Sequence, residues 1–170
     1  MSASLSPVET LRVLSELGTQ IADSANLNDV IQRLSEGADT LIGHRLFTVM
    51  AFDANNRQVR RIFSNQPAAY PAGGIKTKGQ SDWAKQVLDE GKPYIGSNAD
   101  DIRRHFADHE LIASLGLASV LNMPVRVAGQ TLGTMNLLNT ANYYRPDHLA
   151  LARVLAGLLG SSLLLHPSFE

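Results

Sequence analysis

Apolar residues recur every three or four positions in two segments near the start of the chain, a spacing that predicts two amphipathic helices. The first helix begins after Ser6, because Ser6, Pro7 and Glu9 combine a capping-box pattern with a proline at the first helical position. The second follows Asn26 as its N-cap and ends at Gly43. The pattern therefore places two helices before the first strand.

Beyond Gly43 the pattern changes to short apolar runs bounded by turn residues, which predicts strands and short helices. Residues 65–79 are rich in proline, glycine and alanine and predict a long loop. The other predicted elements are, in chain order, strands at 46–52 and 58–64, a helix capped by Ser81 and ending at Gly91, a strand at 93–96, two short helices within 98–115, strands at 119–125 and 131–138, and a long helix from 146 to about 165.

The last two predicted strands are separated only by residues 126–130, so they are expected to pair as an antiparallel hairpin. Each strand carries an asparagine inside an apolar run. Side chains alternate between the two faces of a strand, which puts Asn122 with Val120 and Asn136 with Thr134. A buried amide without a partner costs about 1–3 kcal/mol. Two such amides on neighbouring strands predict that one face of the sheet lines a partly polar cavity for a small molecule.

Helices at both ends of a short antiparallel sheet predict an α+β fold. Residues 114–138, SLGLASVLNMPVRVAGQTLGTMNLL, resemble the C-terminal strand pair of a GAF domain, with a proline, a glycine turn and an apolar-glycine-apolar strand in the same order. The leading helices, the first hairpin and the long last helix match that family as well. The resemblance implies one domain over residues 1–170, with its core at about 6–165.

The same resemblance implies a PAS-related central antiparallel sheet with the terminal helices on one face. Loops and short helices would cover a ligand cavity on the other face. Cysteine-dependent methionine sulfoxide reductases, bilin-attaching proteins and cyclic-nucleotide-binding proteins are relatives of this kind, but their signature residues are not found here. These departures point to a generic sensor whose ligand is unidentified.

Composition narrows the function classes further. The chain has 170 residues, a net charge of −1 and no cysteine, which excludes disulfides, thiolate metal sites and thiol catalysis. Balanced charge gives no support for nucleic-acid binding. The first residues do not show the basic segment followed by an apolar segment that is typical of a signal peptide. The apolar stretch at 154–165 contains glycines and serines and is shorter than the ~20 residues that span a bilayer. We therefore predict a cytoplasmic protein without a membrane partner.

Two motif-like segments carry little chemistry. Residues 74–81 nearly match a phosphate-binding P-loop, but Gln80 stands where the motif needs a lysine. His105, Asp108 and His109 resemble an inverted zinc-protease pattern. Asp108 is expected to cap a new helix there, which would separate the two imidazoles, and no third ligand can be identified. The sequence thus predicts neither a metal site nor a cofactor, and it contains no Gly-x-Ser-x-Gly elbow.

The predicted binding residues fall into three groups. Hydrogen bonds to the ligand are assigned to Asn122, Asn136 and Thr134, and Ser119, Thr48 and Met50 are further candidates for the floor of the cavity. The walls are assigned to Tyr70, Trp83, Ile95 and Phe106. Arg61, on the second strand, is expected to reach the rim and favour an anionic group.

The interpretation is a non-catalytic domain that binds a small molecule reversibly and passes a signal through its terminal helices to a partner protein. One alternative is an enzyme of unfamiliar type, with Asp108, His109 or Asp82 as acid-base groups. Another is a ligandless interaction module. Apolar residues cover more than one face of the last helix, which predicts a homodimer through the first and last helices.

Overall fold

The computed structural model describes residues 5–169 and has an α+β architecture. Six antiparallel strands form one sheet in the order β3-β2-β1-β6-β5-β4. The strands are β1 (Leu46–Asp53), β2 (Gln58–Ser64), β3 (Gly73–Thr77), β4 (Tyr94–Gly96), β5 (Ser119–Val127) and β6 (Gln130–Asn139). The helices are α1 (Pro7–Ala22), α2 (Leu27–Leu41), α3 (Asp82–Ala84), α4 (Ala99–His105), α5 (His109–Ser114) and α6 (His148–Leu165). The predicted lack of a leader rests partly on residues 1–4, which lie outside the described residues.

The first two helices begin where the capping patterns predict. The Ser6 hydroxyl accepts a hydrogen bond from the Glu9 backbone, and the Glu9 carboxylate accepts one from the Ser6 backbone. The Asn26 side chain accepts a hydrogen bond from the backbone of Asp29. Both caps satisfy amides that an α-helix leaves unpaired at its N-terminus.

One face of the sheet packs against the long helices. α6 contacts β5 and β6, α2 contacts α6, and α1 contacts α2. The core between these helices and the sheet is apolar, and its fully buried members include Leu34, Phe47, Leu121, Met135 and Leu155. Because strand side chains alternate, this arrangement leaves the even-numbered residues of β5 and β6 on the opposite face.

The opposite face is covered by the short helices α3, α4 and α5 and by the segments that connect them. Two smaller apolar clusters lie there, one around Leu46, Ile112 and Val120 and one around Trp83 and Val87. The space between the clusters is the cavity described below. The predicted α+β fold, with the terminal helices on one face and the short elements on the other, is confirmed.

Several element boundaries differ from the predictions. β3 lies inside the segment predicted to be a loop, and all five of its residues are exposed. Because its side chains are exposed, no apolar pattern in the sequence marks this strand, and its position is set by backbone pairing with β2. α6 begins at His148, two residues after the predicted start. α3 continues into one π-helical turn over Lys85–Asp89.

One described helix, α6, is long and apolar enough by length and composition to cross a membrane. The same properties suit a helix that packs on a protein core. Within the fold, Leu155, Leu159 and Leu163 of this helix are buried in the core on the helical face of the sheet.

Candidate ligand-binding site

A cavity lies between the sheet and the short helices. The volume within which the centre of a water molecule can lie is about 70 Å³. Since one water needs roughly 10–15 Å³ on this measure, the cavity has room for a small molecule of a few heavy atoms. The sheet contributes Thr48, Met50, Val59, Arg61, Gly73, Gly74, Lys76, Val120, Asn122, Asn136 and Leu138, and the covering segments contribute Tyr70, Lys78, Phe106, Asp108 and Ile112.

A chain of hydrogen bonds between side chains crosses the floor of this cavity. The Trp83 indole donates to Oδ1 of Asn122 at 3.0 Å, and Nδ2 of Asn122 donates to Oδ1 of Asn136 at 2.7 Å. Nδ2 of Asn136 donates in turn to the Thr48 hydroxyl at 3.2 Å. Asn122 and Asn136 face each other directly across β5 and β6. Nδ2 of Asn136 also donates to the Thr48 carbonyl at 3.5 Å. The two amides therefore have partners within the protein, and both residues line the cavity.

A cluster of three charged or polar side chains forms another wall. Arg61 Nη2 lies 3.5 Å from the carboxylate of Asp108, and the Tyr70 hydroxyl donates a short hydrogen bond to the same carboxylate oxygen. The guanidinium also lies over the Tyr70 ring, 3.8 Å from its centroid. Burial, followed by the hydrogen bond to Asp108, raises the pKa of Tyr70 above its ordinary value. The tyrosine therefore stays protonated and acts as a hydrogen-bond donor.

Two lysines, Lys76 and Lys78, add positive charge to the cavity lining. Lys76 faces the cavity because it pairs with Val59 across β2 and β3. Lys78 follows the end of β3, and its ammonium lies 5.3 Å from the Trp83 ring centroid. Burial, and then the nearby charge of Lys76, lowers the pKa of Lys78 below its ordinary value. The lining thus combines three basic side chains with one carboxylate.

The structure brings most of the predicted site residues together. The lining includes seven of them: Asn122, Asn136, Thr48, Met50, Arg61, Tyr70 and Phe106. Trp83 lies behind the lining and reaches it through Asn122. Thr134 is fully buried on the same face of β6 as Asn136, and its hydroxyl has no hydrogen-bond partner among the described residues. Their ligand contacts remain predictions.

Two predicted site residues face the other way. Ser119 alternates with Val120 and lies on the side of β5 that carries Leu121, which packs against the long helices. Ile95 pairs with Leu121 and packs against the same helical core. The placement of both residues in the cavity was wrong.

Sequence reasoning missed the lysines of the cavity. Lys76 and Lys78 belong to a segment predicted to be a loop, where neither strand phase nor partner is evident. Gly73 and Gly74, with positive φ angles of 99° and 74°, lie where the β2–β3 register shifts beside Arg61. The glycine pair followed by alternating lysines was the signal that a bulged edge strand carries a basic face.

The residues of the zinc-protease-like pattern separate as predicted. His105 ends α4 and packs edge-on against Tyr94 with ring centroids 5.0 Å apart, whereas His109 begins α5. Asp108 occupies the N-cap position of α5, but its side chain makes no capping hydrogen bond and points to Arg61 and Tyr70 instead. Within residues 5–169, no three His, Cys, Asp or Glu side chains are grouped to hold a metal ion.

Comparison with known proteins identifies a family and several similar structures. A family model described as "GAF domain" matches residues 24–163. The structure is similar to the GAF domain of an Acinetobacter phosphoenolpyruvate-protein phosphotransferase, with a TM-score of 0.76 at 15% identity over 95% of this chain and 96% of that one. It is also similar to the GAF domain of a Bacillus halodurans two-component sensor histidine kinase, with a TM-score of 0.69 at 18% identity over 84% and 96% of the two chains.

The chromophore-binding domain of an R. palustris bacteriophytochrome is similar too, with a TM-score of 0.68 at 11% identity over 94% of this chain and 62% of that one. At these identities the likeness concerns the fold. No curated protein sequence matches the chain significantly.

Proposed function

Because the chain belongs to the GAF domain family, whose members are typically sensory or regulatory domains of signalling proteins, we propose that it binds a small molecule reversibly in the cavity. Binding would shift the covering helices and pass a signal through the terminal helices to a partner protein in the cytoplasm. A ligand moves such an equilibrium only by its different affinity for the two states.

The observation that carries the proposal is a cavity with both apolar and polar lining. Val120, Leu138 and Ile112 provide apolar walls, whereas Asn122 and Asn136 present amide groups at the floor. Small-molecule sites in proteins commonly combine predominantly apolar walls with a few polar groups that orient the ligand.

A cavity-filling substitution tests the proposal. In Val120→Phe the larger side chain enters the cavity, and we expect any small molecule that co-purifies with the wild type to be lost. Native mass spectrometry of freshly purified protein and a thermal-shift screen of small metabolites measure binding. Ile75→Phe is the matched control, because Ile75 is 54% exposed and pairs with Arg60, whose side chain points away from the cavity. Identical responses of the wild type and Val120→Phe throughout the screen would contradict the proposal.

We further propose that the domain forms a homodimer through α1 and α6. Several apolar side chains of these helices remain exposed in the single chain, including Val8 and Leu11 at 78% and 68% and Val154 at 46%. Exposed apolar side chains favour burial against another chain, and a two-fold contact is the commonest symmetry for two copies of one chain.

Substitutions that place a charge on the exposed apolar positions of α1 and α6 test the proposed dimer. We expect Leu11→Glu and Val154→Glu to weaken dimerisation by about tenfold or more, since each places a carboxylate in an apolar contact. Analytical ultracentrifugation at micromolar concentration measures the mass. Leu111→Glu serves as the control, because Leu111 is 40% exposed on α5, one of the short helices on the opposite face of the sheet from the long helices. A wild-type protein that sediments as a monomer would rule out the interface.

A further inference from the structure

The charge on the cavity wall is unbalanced. Arg61, Lys76 and Lys78 line the cavity with a single carboxylate, that of Asp108. The Nε atom of Arg61 is buried and has no hydrogen-bond partner among residues 5–169, while its Nη1 donates to the carbonyl of Pro71 at 2.9 Å. The Arg61 side chain is only 18% exposed, whereas Lys78 is half-buried and Lys76 is exposed. A largely buried guanidinium with two further cations nearby and a single carboxylate makes this wall suited to receive another anion.

Asp108 already occupies part of such an anion position. Its carboxylate accepts a hydrogen bond from the Tyr70 hydroxyl and lies 3.5 Å from Nη2 of Arg61. This distance to Arg61 is longer than that of a charge-assisted hydrogen bond, about 2.7–2.9 Å. The Arg61 and Asp108 side chains are only 18% and 24% exposed. The residue belongs to the connection between α4 and α5, and both Phe106 of that connection and Ile112 of α5 line the cavity. The carboxylate of a covering segment therefore sits where an anionic ligand would bind.

We propose that the ligand is a small organic anion, with a carboxylate or phosphate group, that displaces the Asp108 carboxylate from Arg61 and Tyr70. This inference rests on the proposed function and specifies the ligand class. The anionic group binds at Arg61, with Lys76 and Lys78 nearby, and a short apolar tail lies along Val120 and Leu138. Displacement of Asp108 releases the α4–α5 connection from β2, which couples occupancy of the cavity to the position of its cover.

The apolar wall and the size of the cavity limit the tail. A volume of about 70 Å³ accommodates a chain of a few carbon atoms without rearrangement of the cover. Larger anions require the cover to move further. Butyrate and its neutral analogue butyramide are therefore suitable probes, and methyl phosphate distinguishes phosphate from carboxylate recognition.

Two substitutions change the anion position in opposite directions. Asp108→Asn removes the competing charge at nearly constant volume, and we expect it to tighten butyrate or methyl phosphate binding by about tenfold. Arg61→Gln removes the principal cation, and we expect at least a tenfold loss. Arg60→Gln is the matched control. Arg60 is the neighbouring residue on β2, points away from the cavity and donates to the carbonyl of Ser168.

Trp83 provides the readout, because it is the only tryptophan in the sequence. Its ring packs edge-on against that of Phe106, with centroids 5.8 Å apart. Phe106 lies two residues before Asp108 in the covering segment. Movement of the cover should therefore change the tryptophan fluorescence, and titration calorimetry gives the affinity. Circular dichroism checks that each variant is folded.

The expected result is that an anion binds, that butyramide binds at least about tenfold more weakly than butyrate, and that the two variants shift affinity in opposite directions. Equal binding of butyrate and butyramide, or no tightening in a folded Asp108→Asn protein, would overturn the anion inference. The proposed function would then still stand on the cavity-filling test. Failure of all anions to bind the wild type and Asp108→Asn would also overturn the inference, whereas only an unresponsive metabolite screen would count against ligand binding itself.

Discussion

Gly133→Ala is expected to destabilise the domain by about 3 kcal/mol, because the substitution forces a methyl group between two paired strands. A Cβ at Gly133 would overlap the carbonyl oxygen of Met50 and lie 3.3 Å from Cα of Ala51. Both obstructing atoms are backbone atoms of β1, so no change of side-chain rotamer can relieve the contact. The pairing of β1 with β6 in the centre of the sheet would have to open locally.

Thermal and urea unfolding measure this effect. For a domain of this size, 3 kcal/mol corresponds to a fall in melting temperature of about 6–12 °C. Gly18→Ala is the matched control, since Gly18 lies in α1 and a Cβ there meets nothing within 4 Å. That substitution should stabilise the protein by about 0.5–1 kcal/mol through helix propensity. Equal stability of the Gly133→Ala and wild-type proteins would show that the strands are not this closely apposed.

The paired asparagines of the cavity floor should be energetically coupled. Asn122 and Asn136 are 2% and 4% exposed, and their amides are joined at 2.7 Å. Asn122→Leu or Asn136→Leu alone removes the hydrogen bond between the two amides and leaves the other amide with Trp83 or Thr48 as its side-chain partner, at an expected cost of about 2 kcal/mol each. The double variant removes both amides together. Its cost should therefore be smaller than the sum of the single costs by about 1 kcal/mol or more.

A double-mutant cycle by urea denaturation measures the coupling. Thr19→Ala, on the exposed surface of α1, provides the uncoupled comparison. In combination with Asn122→Leu, its effect should be additive within about 0.5 kcal/mol. Additive costs for the two asparagines would mean that water or another group satisfies each amide separately.

The sequence pattern predicted the main elements because their signals are local. Helical spacing and the caps at Ser6 and Asn26 placed α1 and α2, and the glycine turn placed β5 beside β6. Strand alternation also placed Asn122 and Asn136 on one face, since side-chain direction follows from backbone geometry. The same rule puts Ser119 on the other face, and applying it would have avoided that error.

Other features of the site depend on pairings between distant parts of the chain. Ile95 lies in a strand of only three residues, and its direction follows from its pairing with Leu121. β3 is an exposed edge strand without an apolar pattern, so its place beside β2, and with it the position of Lys76, comes from backbone hydrogen bonds. Neither pairing leaves a periodic signal in the sequence.

The contacts of Asp108 separate most clearly what the sequence determined from what tertiary structure decided. The local pattern correctly indicated a break between two short helices at this residue and suggested a capping role for its side chain. The fold instead brings Tyr70 and Arg61, 38 and 47 residues away, against the carboxylate. A cationic guanidinium and a buried hydroxyl attract a carboxylate more strongly than the exposed amides of a short helix do. Local sequence therefore determined where the helix begins, whereas the packing of the cover on the sheet decided what the side chain binds.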